Sequence, residues 1–349
     1  VRFSIKRLPP NISIDSAEDA ATILRNAKAV VAIWGLVEQQ QGDDGKTTGF
    51  SKISATIVHR PAKIHPLRHQ LISYTFAERQ LCVRERTQIT DQKIVAQNIG
   101  IVVRNLLGVA LLINRNHLMA ANVLGPLYYD IQQQIPSKPS VPVQRFRLQV
   151  QCDYAYSLTM ATGDEYIQWL SKGKIYEIPS ATLDKWIKNV RQAITLDPQN
   201  PVHYNLLAIY LYLSGDIPSA IKAEEKADRI GPRDSAIANF GLAFLYAFIG
   251  DLKQSRDQYR LGMAKKTSYD PEMVNQCLTF MEQAIKKYPE KKQLHFGIGN
   301  LLYHRKSIGM AKNEFEKLLS DPPRAPELQG FVEEARRQLK LINSAPEDE

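Results

Sequence analysis

The sequence predicts a mostly-α fold, an α-solenoid of helical hairpins preceded by a small α/β domain. Three observations carry this. After Pro201 the chain repeats at the length of one helical hairpin: Tyr212-Leu213-Ser214-Gly215-Asp216 returns 35 residues later as Ala247-Phe248-Ile249-Gly250-Asp251. Before Ile94 the pattern is of β-branched runs and alternation instead. Third, 349 residues at 44% hydrophobic and 23% charged exceed one small core and exclude a disordered chain.

The N-terminal elements follow in order. Val1–Lys6 alternates as a strand and stops at Pro9-Pro10, and Ser16–Asn26 reads as a short helix capped by Asp15 or Ser16. Ala29–Glu38 is a β-branched strand, Gln39–Gly49 a polar loop, and Phe50–His59 its hairpin partner. This strand and hairpin after a short helix, over Asp15–Arg60, resemble the small α/β domain that opens TolB and the CsgG/FlgO-type proteins. That resemblance implies a structural or assembly domain without a ligand.

Residues 94–180 read as degenerate helical hairpins. Val95–Ile113 is apolar at helical spacing, Asn114-Arg115-Asn116 turns, and His117–Ile135 continues with Ala120 and Ala121 as small contacts. Pro136, Pro139 and Pro142 break the helix. Phe146–Met160 resumes it, and Thr162-Gly163-Asp164 is expected to turn the chain again.

From 181 to 342 the repeats are clear. The unit Pro201–Asp234 holds Tyr204, Leu207 and Ala208 in its first helix, Ala220 and Ala227 in its second, and Pro232 at its end. Ala236–Tyr269 holds Leu242, Ala243, Tyr246, Ser255, Tyr259 and Gly262 in matching places. Lys292–Ala325 holds Ile298, Gly299, Leu302, Ala311, Phe315 and Pro323. Small residues let paired helices approach while large ones fill the gap to the next hairpin. This pattern resembles the tetratricopeptide repeat (TPR), whose unit is about 34 residues, and the resemblance implies a right-handed superhelix. Glu224 departs from it, standing where an aromatic is usual.

Two flanking helices complete the array. Leu183–Leu196 looks like the second helix of a preceding unit. Pro271–Tyr288 is surplus, because units two and three start 56 residues apart, so the stack is expected to be irregular there. Glu327–Ile342 is a charged, amphipathic cap and 343–349 an acidic tail.

In TPR arrays the first helices line a concave groove. Carried onto this sequence, the resemblance places Val202, Asn205, Ile209 and Tyr212 there, then Ile237, Phe240, Phe244 and Ala247, then Gln293, Phe296, Asn300 and Tyr303. Asn205 alone fits the carboxylate-clamping class of repeats, so the groove is expected to be aromatic. Such a surface takes an apolar helix or extended peptide of a partner protein. A neighbouring segment of the same chain is the competing occupant. On this reading Phe240→Glu and Phe244→Glu would abolish partner capture and spare the fold.

Motifs for chemistry are sparse. Gly45-Lys46-Thr47 lacks the earlier glycine of a phosphate-binding loop, for Gln40 stands there, and a strand follows rather than a helix. His59, His65 and His69 lie among Arg60, Lys63 and Arg68, but Pro61 and Pro66 argue against the helix a zinc pair needs, so no metal is expected. With Arg84 and Arg86 beside Cys82, these side chains form a basic surface offering contact to a polyanion. No Gly-x-Ser-x-Gly, paired-carboxylate or His-Glu-x-x-His pattern occurs. The expectation is a chain that is not an enzyme and needs no cofactor.

The net charge of +9 is uneven: 14 basic against 9 acidic residues in 1–95, 10 against 7 in 96–200, and 21 against 20 in 201–349. The longest apolar stretch, Ile99–Ile113, is too short to span a bilayer and carries Arg104 and Asn105. Three scattered cysteines, Cys82, Cys152 and Cys277, make no disulfide framework. The expected location is cytoplasmic, though the chain opens on Val1 and a removed leader or anchor would alter that. The expected function is a non-enzymatic scaffold binding a protein, with a nucleic-acid-associated subunit or a ligand sensor using the N-terminal domain as alternatives.

Overall fold

The computed structural model describes residues 22–23, 31–40, 50–59, 88–89, 99–134 and 141–344. The chain divides into two compact units, Val1–Ala161 and Thr162–Glu349.

In the first unit β1 (Val31–Gln40), β2 (Phe50–His59) and β3 (Gln88–Ile89) form an antiparallel sheet in that order. Val31 pairs with His59 at one end of the hairpin and Gln40 with Phe50 at the other. The expected strand at Val1–Lys6, most of the helix at Ser16–Asn26 and Gly45-Lys46-Thr47 lie outside the described residues.

Helices α1 (Ile99–Ile113) and α2 (His117–Gln134) make the hairpin expected from their apolar spacing. Arg104 Nη1 donates to Asp130 Oδ2 across it at 2.6 Å. Pro136 lies just past the end of α2, and Pro142 sits in the first turn of α3 (Val141–Ser171), where a missing N–H costs no hydrogen bond.

At α3 the structure corrects the sequence reading. Thr162-Gly163-Asp164 is not a turn, because a single helix of 31 residues runs straight through it. These residues are shaped by contacts within the second unit. A Cβ on Gly163 would meet Leu206 Cδ1 at 3.2 Å, and Thr162 Oγ1 accepts from the Tyr210 hydroxyl at 3.0 Å. The glycine admits a neighbouring helix; it does not bend its own.

The second unit continues through α4 (Ser180–Leu196), α5 (Pro201–Leu213), α6 (Ile217–Ile230), α7 (Ile237–Ile249) and α8 (Leu252–Met263). It then runs through α9 (Pro271–Lys287), α10 (Leu294–His304), α11 (Ile308–Ser320) and α12 (Gln329–Ser344). Local chemistry starts these helices where they start. Asn200, Asp216, Asp251 and Asp270 cap α5, α6, α8 and α9 by accepting backbone N–H groups in the first turn.

One turn recurs in the hairpins. Asp216 N donates to Leu211 O, Asp251 N to Tyr246 O and Ser307 N to Leu302 O, at 2.9, 2.8 and 2.9 Å. This closure needs a left-handed residue just before the donor. Gly215 and Gly250 supply it at φ 90° and 93°, and Lys306 at φ 60°. The α1–α2 hairpin closes the same way, with Asn116 N on Leu111 O at 2.9 Å and Arg115 at φ 58°. Asn114-Arg115-Asn116 therefore closes its hairpin by the same backbone geometry, with no glycine to announce it.

Aromatic side chains fill the space between hairpins, with Trp186, Tyr210, Phe240, Phe296, Phe315 and Phe331 each less than 2% exposed. Successive helix pairs stack regularly only as far as α8. In a regular array the next first helix would begin beside the end of α8. Here it is the far end of α10 that lies there: His304 Nε2 is 3.0 Å from Ser268 Oγ, and its ring stacks on Tyr269 at 4.8 Å. The α10–α11 hairpin therefore runs upside down relative to α7–α8. The surplus helix α9 causes the inversion, since one helix added without its partner reverses the chain direction for every later element.

Candidate functional site

The aromatic face expected to be an open groove is built by α5 and α7. Tyr212 meets Phe244 and Phe248 at ring distances of 5.1 and 5.2 Å. The surplus helix covers it. Phe280 of α9 lies 5.1 Å from Phe244 and 5.5 Å from Tyr212, and Tyr288 lies 5.2 Å from Phe248. Both contacts advance together, from residue 244 to 248 and from 280 to 288, so α9 runs parallel to α7 along that face. Polar groups anchor it. The Gln283 amide donates to Leu170 O at 2.9 Å and accepts from Ile175 N at 3.2 Å. The Tyr176 and Tyr212 hydroxyls pair at 2.7 Å beside it.

Burial separates the expected partner-binding residues. Tyr212, Phe240, Phe244 and Phe296 are buried, at 4, 1, 4 and 1% exposure, so they do not form an open surface. Phe240 packs instead on Gly262, and Phe296 between Phe315 and Phe331. Asn205, Ile209 and Asn300 are half-buried, and the Asn300 amide donates to Phe296 O. Tyr303 alone of the eight is exposed, at 40%. The inversion of α10 bears on Phe296, Asn300 and Tyr303, because positions counted along a unit share a face only while every hairpin points the same way. Phe280, Gln283 and Tyr288 went unread in the sequence. The signal for them was the missing first helix ahead of α9, which leaves that helix to pack elsewhere.

Of the basic residues, His59 ends β2, while Arg60, Lys63, His65, Arg68, His69, Arg84 and Arg86 lie outside the described residues. Among the described residues no group of three or more His, Cys, Asp or Glu is placed to hold a metal ion. None of the described helices is long and apolar enough to cross a membrane. Burial pushes the Cys277 thiol up to about 12, which keeps it protonated.

Glu224 is the unusual buried group. Its side chain is 4% exposed, and Oε2 has no hydrogen-bond partner among the described residues. It occupies room left by Gly241, where a Cβ would come within 2.5 Å of Oε1. Burial first, and Asp228 second, hold its carboxyl well above the usual carboxylate range. The folded state therefore binds a proton that the unfolded chain releases near pH 4.5. The stability this group confers is full below that pH and is lost as pH rises toward the folded value. Glu224→Gln is expected to remove that slope: the gain in urea midpoint over wild type should be larger at pH 8 than at pH 5. An equal difference at both pH values would contradict the buried, neutral carboxyl.

Outside the filled face, apolar side chains reach solvent around the inverted hairpin. Tyr269, Tyr303, Ile308 and Met310 are 71, 40, 40 and 62% exposed. Arg305 beside them donates to Asn275 Oδ1.

No protein-family model and no curated protein matches the chain. Among solved structures, it is similar to the APC/C hetero-tetramer Cut9–Hcn1 at 11% identity and TM-score 0.32, over 70% of this chain and 44% of that one. It is similar to the P58(IPK) TPR domain at 12% identity and TM-score 0.23, over 78% of this chain and 88% of that one. The chain thus spans less than half the length of the first. Both likenesses are distant, and the hairpin stack stands on this chain's own turns and helix pairs.

Proposed function

We propose that the chain is a non-enzymatic scaffold of TPR-like hairpins that holds a partner protein, as a subunit of a larger assembly. The observation that carries this is the solvent-facing set Tyr269, Tyr303, Ile308 and Met310, four large apolar side chains on adjoining segments of a unit whose other aromatics are buried or half-buried. Exposed apolar patches of this kind mark protein contacts in soluble folds. The expected groove residues Tyr212 and Phe244 support the same function differently: with Phe280 of α9 they stiffen the stack that presents the exposed patch.

Cross-linking with mass spectrometry on the full chain from its native host tests the reading. A protein that co-purifies in fixed ratio and cross-links to Lys266, Lys306 or Lys312 supports it. Turnover of a small molecule by the purified chain, with no such protein, overturns it.

A further inference from the structure

The inverted hairpin juxtaposes exposed aromatics with cations. The Tyr269 ring stacks on His304 at 4.8 Å, and Tyr303, Arg305 and Lys306 adjoin His304 in the α10–α11 turn, all three exposed. Lys266, also exposed, comes from the 3-10 turn that carries Tyr269. Ile308 and Met310 extend the apolar part along the start of α11.

Acidic residues are sparse in both contributing segments, and Asp270 beside Tyr269 is committed to capping α9. Between Glu290 and Glu314 the chain has five Lys or Arg and no Asp or Glu. Between Asp257 and Asp270 it has Arg260, Lys265 and Lys266, again without an acid. Lys265 is neutralised by Asp228 at 2.9 Å, which leaves Lys266, Arg305 and Lys306 as the cations of the patch. The whole stretch 201–349 carries 21 basic and 20 acidic residues, so this local excess stands out from a nearly neutral unit.

We propose that this surface docks an acidic peptide segment of a partner protein, one that sets a large apolar or aromatic side chain among carboxylates. The inference rests on the scaffold reading above and names the surface and chemistry it would use. The apolar anchor would lie against Tyr269, Tyr303 and Met310, where desolvated contacts dominate affinity. Carboxylates would reach Lys266, Arg305 and Lys306, setting orientation and association rate and weakening as salt rises. A polynucleotide shares the negative charge but not the apolar side chain, and Ile308 and Met310 favour the peptide.

The test is selection of a display library of 12-residue peptides on the purified full chain, followed by titration of labelled winners. Selected peptides should combine Asp or Glu with Leu, Phe, Tyr or Trp. Binding should fall roughly tenfold or more for Tyr269→Ala and for Arg305→Glu with Lys306→Glu. These side chains are exposed, so the thermal midpoint should stay near that of wild type. The surface control Glu282→Lys on α9 should bind as wild type does. Winners without net negative charge, or equal binding by the patch variants, would overturn the docking surface. Tight binding of a single-stranded oligonucleotide with no peptide selected would overturn it as well. A partner still cross-linked to the Tyr269→Ala chain leaves the scaffold reading standing without this surface; no partner and no peptide removes both.

Discussion

Phe244→Glu is expected to destabilise the repeat unit by about 4 kcal/mol or more, an effect on folding and not on partner capture alone. Phe244 is 4% exposed, and its ring is held between Tyr212 and Phe280 at 5.1 Å from each. A carboxylate there would lie among aromatic faces. The Lys291 ammonium lies 4.9 Å over the neighbouring Phe248 ring and is engaged there. Phe244→Leu, which keeps an apolar side chain, should cost far less. Urea denaturation of the full chain followed by circular dichroism checks both. Wild-type stability with lost binding would restore the open groove that the sequence suggests.

The second large effect is expected at Trp186. It is fully buried, its ring packs on Tyr210 at 5.1 Å, and Nε1 donates to Glu165 Oε2 at 2.8 Å. Three helices meet at this side chain, because Glu165 lies on α3, Trp186 on α4 and Tyr210 on α5. Trp186→Ala opens a large cavity and strands the Glu165 carboxylate, a loss of about 3–5 kcal/mol. Trp186→Phe keeps most of the volume and loses the hydrogen bond, so it should fall between the two. The Trp186 comparison also bears on α3. If Thr162-Gly163-Asp164 were a turn, Glu165 would not be held toward Trp186, and Trp186→Phe would cost little.

Much of the hairpin stack was legible because its determinants are local. Gly215 and Gly250 supply left-handed turns, Asp216 and Asp251 cap the helices that follow, and Pro201 and Pro271 open helices at positions needing no N–H. Each works within five residues, so spacing along the chain reveals it. Thr162-Gly163-Asp164 misled for the opposite reason. Those residue types favour turns in isolation, but here Gly163 and Thr162 answer to Leu206 and Tyr210, more than 40 residues away.

The candidate site was legible only in its composition. The sequence marks Tyr212, Phe240, Phe244, Phe296 and Tyr303 as aromatic repeat positions, and it marks Pro271–Tyr288 as a helix too many. It cannot state what that helix touches, because Phe280 approaches Tyr212 across 68 residues of chain. Periodicity and turn chemistry, which act over single helical turns, determined by themselves that this protein would be a stack of hairpins. Only tertiary packing decided which aromatic face is filled from within, which hairpin is inverted, and so which side chains remain at the surface. Burial is a property shared by segments far apart in sequence, and it is settled when they meet.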